Sequence, residues 1–266
     1  MRERIIYYAF ILCLLILISC RQYILYQYFT DQLSDFTPNN GITHILFTRF
    51  KEPDMSRLLQ PFINKKNTYI FIYNKGTDLP TGISDDITNI KVIQIPNLGW
   101  DAYAYFYHVI NYYDNLPDYI YQLQASAQYL DYKYERVNNI INTDQKYYYG
   151  GDIITNDLNF SLDNWFASFN LNNTNLSTNV YVKSSISPLS KWLKSKIKTI
   201  PEHALAPNNE IYCSYYGMFK VHKSRILRYP LTFYKDIFSE IQVWQSEVNH
   251  YLERSWYALY GDKINE

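Results

Sequence analysis

The sequence predicts an α/β domain on a mixed, mainly parallel sheet flanked by helices, carried behind an N-terminal membrane anchor. Three observations predict it. Four short runs of β-branched and aromatic residues are spaced through residues 42–124. A helical apolar stripe separates the third from the fourth. One uninterrupted apolar stretch opens the chain. Strands alternating with helices assemble in parallel, because a parallel crossover needs a connection about as long as a helix.

ITHILFTRF, from Ile42 to Phe50, reads as a buried strand. Asp54 is placed to cap a helix from Met55 to Phe62, with Leu58, Leu59 and Phe62 on one face. Asn67 to Gly76 is a second strand closed by a turn, and a polar loop runs on to Asn89. Lys91 to Asn97 is a third strand, broken by Gly99. Ala102, Tyr105, Phe106, Val109, Ile110 and Tyr113 then recur at helical spacing, which predicts a helix from Trp100 to Tyr113. After the Leu116-Pro117-Asp118 turn, Asp118 to Gln124 is the fourth strand. Residues 127–210 are rich in Asn, Ser and Tyr and read as helices and long loops. Tyr215 to Leu227 reads as a glycine-marked strand entering a helix that ends at Tyr229-Pro230. A helix follows from Phe233 to Ile241, and a last one through Val248, Leu252, Trp256 and Leu259 stops at Gly261.

The anchor is residues 1–29. Arg2, Glu3 and Arg4 precede an apolar run from Ile5 to Cys20, and after Arg21-Gln22 the run continues to Phe29. The first run alone is shorter than the roughly 20 residues of a full span. Tyr7, Tyr8 and Tyr23 are interface residues and Arg21 can snorkel, so a signal-anchor helix is the expected reading. It makes the chain a single-pass type II membrane protein with its domain luminal or extracytoplasmic. Leu17-Ile18-Ser19-Cys20 also fits a lipoprotein acylation site, and a cleaved signal peptide is a third possibility that lacks good small residues at its cut site. Residues 30–41 read as a stem, and the domain occupies residues 42–262.

Lys and Arg total 25, as do Asp and Glu, a balance that argues against a nucleic-acid partner. The 29 tyrosines suit a sugar-stacking surface, although AT-rich coding also explains an excess of Tyr, Asn, Ile and Lys. Cys13 and Cys20 lie in the apolar segment, so Cys213 is alone in the domain and no internal disulfide or cysteine zinc site is expected. Asn159, Asn172 and Asn175 each open an N-x-S/T sequon.

In a parallel sheet, ligands bind beyond the carboxyl ends of the strands. Thr48-Arg49, Asn74-Lys75, Asn97-Leu98-Gly99 and Gln122 to Ser126 converge there. Gly99 would let backbone approach a ligand, and the helix start after it favours phosphate; equally, Gly99 and Asp101 serve as a plain turn and a first-turn acid. Arg49 would pair a diphosphate, or else form a salt bridge to Glu52 or Asp54. Asp85-Asp86 and Asp152 read as turn residues. Glu253, one position off the last helix's apolar stripe, is the candidate general base, or else one half of a structural ion pair. His222 and His250 read as ordinary core or surface histidines.

The order strand, helix, strand, then Asn97-Leu98-Gly99-Trp100-Asp101 opening a helix, then strand, resembles the nucleotide-sugar half of GT-A glycosyltransferases over residues 42–126. NLGWD resembles the N-x-G-x-[DA] segment of family-2-type enzymes and the NxGxD stretch of rhamnan-synthesis-F-like proteins. Together with Tyr113, Leu116, Pro117 and Asp118, the tail is similar to an uncharacterised GT-A-like domain family ending GxFxVxxxRIxxxP…FY…LExxW. Gly217, Phe219, Val221, Arg225, Ile226, Pro230, Phe233, Tyr234, Leu252, Glu253 and Trp256 carry that match.

The resemblance implies a membrane-bound hexosyl- or pentosyltransferase that moves sugar from a nucleotide sugar to a glycan or glycoprotein acceptor. Residues 42–126 would bind the nucleotide and residues 127–262 the acceptor. Thr48, Arg49, Asn74, Asn97, Gly99, Trp100, Asp101, Gln122 and Gln124 would contact the nucleotide sugar. Gly217, Phe219 and Trp256 would face the acceptor, with Glu253 catalytic. Such enzymes usually hold Mn²⁺ or Mg²⁺ with a DxD pair after the fourth strand, where this chain has Gln122-Leu123-Gln124-Ala125-Ser126. That departure leaves three readings: metal-independent transfer, a metal on another carboxylate such as Asp118 or Asp152, or a non-catalytic sugar- or nucleotide-binding module. A surface lipoprotein is the further alternative if Cys20 is acylated.

Overall fold

In the computed structural model the sheet grows outward from β1 (Thr43–Arg49). Its parallel neighbours are β2 (Thr68–Asn74) on one side and β4 (Tyr119–Gln124) on the other. β3 (Ile90–Gln94) adds outside β2, also in parallel. β9 (Phe219–His222) runs antiparallel to β4, and the short β5 (Tyr147–Tyr148) pairs antiparallel with β9. The order is β3-β2-β1-β4-β9-β5. A second sheet, antiparallel, has the order β6-β8-β7, from β6 (Ile154–Asp157), β7 (Leu205–Ala206) and β8 (Glu210–Cys213).

The structure describes residues 41–81, 83, 87–164 and 181–262. The anchor and stem through residue 40, Cys13 and Cys20, Asp85-Asp86 and the sequons at Asn172 and Asn175 lie outside them. Among the described residues no helix is long and apolar enough to cross a membrane.

β1 shows no in–out alternation because helices cover both sheet faces. On one face, Ile45, Phe47, Ile70, Ile72 and Leu123 meet Leu58 and Leu59 of α1 (Ser56–Leu59), Phe62, and Val137 and Ile140 of α3 (Asp131–Ile141). The other face carries α2 (Trp100–Tyr112) and α7 (Glu247–Tyr260). There Tyr105, Phe219, Trp256 and Tyr260 form an aromatic cluster, with ring centroids 4.9–6.1 Å apart. α6 (Leu231–Glu240) packs on α2, where the Phe238 ring lies 4.8 Å from Tyr103. The described helices are completed by α4 (Leu189–Ile197) and the single turn α5 (Lys223–Ile226).

Differences from the sequence expectation have local causes. α1 stops at Leu59 rather than Phe62 because Pro61 has no N–H to continue the ladder. Asp54 does serve the helix start, accepting from Ser56 N (3.0 Å) and Ser56 Oγ (2.9 Å). β3 ends at Gln94, since Pro96 cuts the pairing after Ile95 N donates to Asn74 O (2.9 Å). α6 starts at Leu231, because Pro230 opens this helix as well as closing the one before. The strands β5 to β8 fall where helices and loops were expected, and at two to four residues they are too short for a period to show.

Candidate functional site

Strands β2 and β3 lie to one side of β1 and β4 to the other, so the winding direction reverses between β1 and β4. Beyond the carboxyl ends of such a pair the loops diverge and leave a crevice. A crevice of about 280 Å³ opens at that place. Thr48, Arg49, Phe50 and Glu52 after β1, Lys75 after β2, Asn97, Trp100 and Asp101 at the start of α2, and Gln124, Ser126 and Lys133 beyond β4 line it.

Six of the nine expected nucleotide-contacting residues line this crevice: Thr48, Arg49, Asn97, Trp100, Asp101 and Gln124. The other three support it from outside. Asn74 is buried; its side chain accepts from Arg49 Nη1 (2.6 Å) and donates to Asp78 O (2.9 Å) and Gln94 Oε1 (2.8 Å). Gln122 is buried and donates to Thr48 Oγ1 (2.9 Å). Gly99 is a correction: a Cβ there would lie 2.5 Å from Ile241 O, so close packing against the end of α6, not a ligand, excludes a side chain. Its φ of +57° reinforces the requirement.

Arg49 is also redirected. It is buried and heavily engaged: Nε donates to Glu52 O (2.6 Å), Nη1 to Asn74 Oδ1 and Asp78 O (both 2.6 Å), and Nη2 to the Asp78 carboxylate (2.6 Å). Its ion-pair partner is Asp78 rather than Glu52 or Asp54. Arg49 therefore shapes the β1–β2 loops, with its charge already paired to Asp78 and one N–H of its five outside these bonds.

Two lysines supply the remaining cations. The Lys75 ammonium is buried and donates to the carbonyls of Leu98 and Trp100, holding the turn that starts α2. Burial draws it down to about 8, against the pull of Asp101. Lys133, in the first turn of α3, donates to Gln124 Oε1 (2.7 Å) and Ser126 Oγ (3.4 Å). Burial lowers it too, opposed by Asp101, Glu253 and Glu52. Burial pushes the Asp101 carboxyl above its usual range, opposed by Lys75 and by the hydrogen bond from Gln124 Nε2.

The backbone around Asp101 is strained. Trp100 and Tyr216 have φ of +45° and +77°, beside Gly99 and Gly217 at +57° and +60°. A bulky residue in the left-handed region costs about 1–2 kcal/mol and persists only where its surroundings hold it. Tyr216 O accepts from Gln124 Nε2 (2.6 Å), and its ring packs against Tyr132 and the cations of Lys133 and Arg136.

Glu253 lines a small cleft with Trp100, Asp101, Gly217, Asn249 and Trp256. Trp100 and Asp101 border both this cleft and the crevice. Burial lifts the Glu253 carboxyl to about 7, with Arg254 pulling it down and Asp101 pushing it up. Of the expected acceptor residues, Gly217 and Trp256 touch this cleft. Phe219 (1 % exposed) and Trp256 (2 % exposed) are core residues and cannot form a broad acceptor surface. The rings exposed at the rim are Phe50, Tyr132 and Tyr216. His250 is a buried ring against Trp100 (4.7 Å), as ordinary as expected. Cys213 is buried and free.

A divalent cation does not fit this donor set. At the place of the usual acidic pair, Gln124 gives both amide hydrogens to Asp101 and Tyr216 O and its oxygen to the Lys133 ammonium. The flipped amide would set its oxygen against a carboxylate and a carbonyl, so the network fixes the orientation. The crevice carboxylate of Glu52 already accepts from Phe50 N (2.8 Å) and Lys51 N (3.1 Å). Asp118, at the opposite end of β4, pairs with Lys223 (2.6 Å), and Asp152 is exposed outside the crevice. Among the described residues no group of three or more His, Cys, Asp and Glu could hold a metal.

Sequence reasoning placed Lys75 and Ser126 at the converging strand ends without naming them as ligand contacts, and missed Phe50, Glu52 and Lys133 as crevice residues. Lys75 stands at the end of a predicted strand, which was a usable signal; Lys133, inside an unassigned stretch, had none. Comparison with family models, with curated proteins and with solved structures finds no match in any of the three.

Proposed function

We propose that this chain is a membrane-anchored, GT-A-like glycosyltransferase that takes a nucleotide sugar into the switch-point crevice and passes the sugar to a glycan or glycoprotein acceptor. The observation that carries the reading is the crevice itself. It lies at the β1–β4 reversal, and the start of α2 and two lysines face it. A sugar diphosphate is the ligand class that uses cations and a helix start together. Asn97, whose side chain makes no hydrogen bond to a described residue, would contact the nucleotide sugar.

Glu253 is the general base in this reading. A carboxyl held near 7 matches a proton acceptor working at neutral pH. It would take the proton of the acceptor hydroxyl as that oxygen attacks the anomeric carbon and the nucleoside diphosphate leaves. The rings of Tyr132 and Tyr216 offer stacking faces for acceptor sugars beside the crevice.

The test is release of UDP or GDP from a panel of nucleotide sugars by the full chain, with acceptor glycans present. Asn97→Ala should weaken nucleotide-sugar binding by about 10-fold. Glu253→Gln should cut transfer by about 10²–10⁴-fold while leaving binding intact. Nucleotide sugar bound but never turned over would leave the non-catalytic binding module, the reading favoured by the amide at position 124. No nucleotide-sugar binding at all would end both.

A further inference from the structure

We propose that Lys133 takes the place of the divalent cation in the crevice, so that the diphosphate of the ligand binds by charge pairing with this ammonium and needs no metal. The inference rests on the nucleotide-sugar reading of the crevice and names how that site would work.

Three cations line the crevice: Arg49, Lys75 and Lys133. Arg49 is buried, pairs with the Asp78 carboxylate, and has four of its five N–H donors engaged by Glu52, Asn74 and Asp78. Lys75 is 7 % exposed and bound to two backbone carbonyls, so it is a fixed charge beneath the start of α2. Lys133 differs. Its ammonium has three donors, and its hydrogen-bond partners among the described residues, Gln124 Oε1 and Ser126 Oγ, use two. Both partners are neutral, so neither cancels its charge.

The partners also fix where that charge lies. Gln124 ends β4 and Ser126 follows it, the stretch where the resembling enzymes carry their acidic pair. Here the amide oxygen of Gln124 holds an ammonium instead. A metal at this point would have to displace Lys133 and would meet an amide and a hydroxyl, weaker ligands for a hard divalent cation than carboxylates. Asp101 and Glu52 lie near enough to Lys133 to feel its charge, so the ammonium is held among acids yet bound directly by neither. An arriving diphosphate supplies the direct anionic partner.

The experiment is calorimetric titration of the full chain, in detergent, with pyrophosphate, UDP and GDP, each in EDTA and again with Mn²⁺ or Mg²⁺. At least one diphosphate should bind in EDTA, with affinity changing less than about 2-fold on adding metal. Lys133→Gln should weaken it about 10–100-fold and flatten its salt dependence, while Lys133→Arg keeps most of the affinity. Circular dichroism and the urea midpoint establish that each variant is folded. Binding that disappears in EDTA and returns with Mn²⁺ overturns the inference and leaves the crevice reading standing. So does undiminished binding by folded Lys133→Gln. If the wild-type chain binds no diphosphate in either buffer, the nucleotide-sugar reading fails, and the inference fails with it.

Discussion

The sheet face under α1 and α3 and the face under α2 and α7 are both buried, by different chemistry. The fully buried members of the first are aliphatic or Met apart from Phe47 and Phe62, and none of them carries a charge. The second holds aromatic rings, and among them stand His44, His108 and His250, all buried. His44 Nδ1 lies 3.0 Å from His108 Nε2, and His108 Nδ1 lies 2.7 Å from Tyr73 Oη, a chain that one neutral tautomer of each ring satisfies. Asp101 and Glu253 emerge from this same second face. The difference teaches that one side of the sheet supplies stability insensitive to pH. The other ties stability to protonation, through its buried histidines and the acids at its edge.

Acid should separate the two faces most sharply. Burial lowers His44 to about 3 and His250 to about 4, and sets His108 well below its ordinary 6.5. Each folded-state value is depressed, so the unfolded chain binds more protons below pH 6.5 and stability is lost as pH falls. At pH 5 His44 and His250 each cost about 2 kcal/mol, and His108 acts in the same direction, against a typical total of 5–15. Urea midpoints measured from pH 7.5 down to pH 5 should fall steeply. A flat profile would mean that these rings are solvated and the second face is not the dry layer described here.

Phe47→Ala is the control on the first face. It removes a fully buried ring and should cost about 3–5 kcal/mol. That loss should be the same at pH 7.5 and pH 6, because the residues packed around Phe47 in this cluster do not titrate in that range. A loss that grew on acidification would couple the faces through the sheet.

Glu253→Gln works in the opposite sense to the histidines. Its folded value, about 7, is raised above its ordinary 4.5, so the folded chain prefers the protonated form. Stability from this group is complete below pH 4.5 and declines as pH rises to 7. The glutamine should therefore stabilise the fold by about 3 kcal/mol at pH 8 and by nothing at pH 4. If the same variant loses transfer while gaining stability, the carboxylate is retained for function against the interest of the fold.

The first face was easier to read from the sequence than the second. Ile45, Phe47, Ile70 and Ile72 announce themselves as strand residues by composition, and the four parallel strands follow from the alternation of runs and helical stripes. The carboxyl-end crevice follows in turn, since parallel order forces it. What the sequence hides is long-range placement. Nothing local says that β9 returns antiparallel to β4, that Arg49 is consumed by Asp78, or that Lys133 reaches back to Gln124. The strands β5 to β8 are hidden for a different reason: each is held by its partner's backbone, and their side chains show no pattern of their own. Glu253 lay between these cases. Its offset from the apolar stripe was visible, but its burial against Trp100 and Asp101 depends on the left-handed turns at 99–100 and 216–217, and of those only the glycines are legible.

The smallest effect concerns how the second face is fastened. Ser246 caps α7: its Oγ accepts from Val248 N (3.1 Å) and donates to Glu240 O (2.9 Å). The one hydroxyl thus satisfies a free donor at the start of α7 and a carbonyl at the end of α6, and the residue is 2 % exposed. Ser246→Ala removes both bonds without adding bulk, and should cost about 1 kcal/mol by urea denaturation. α7 carries His250, Glu253 and Trp256 from this point, so a frayed start would reach the site before it reached the sheet. If the cap only stabilises, diphosphate affinity stays at the wild-type value and the pH at which Glu253 titrates does not move. If affinity holds but that pH drops toward 4.5, the first turn of α7 is what keeps water away from the carboxyl, and the cap belongs to the site as much as to the fold.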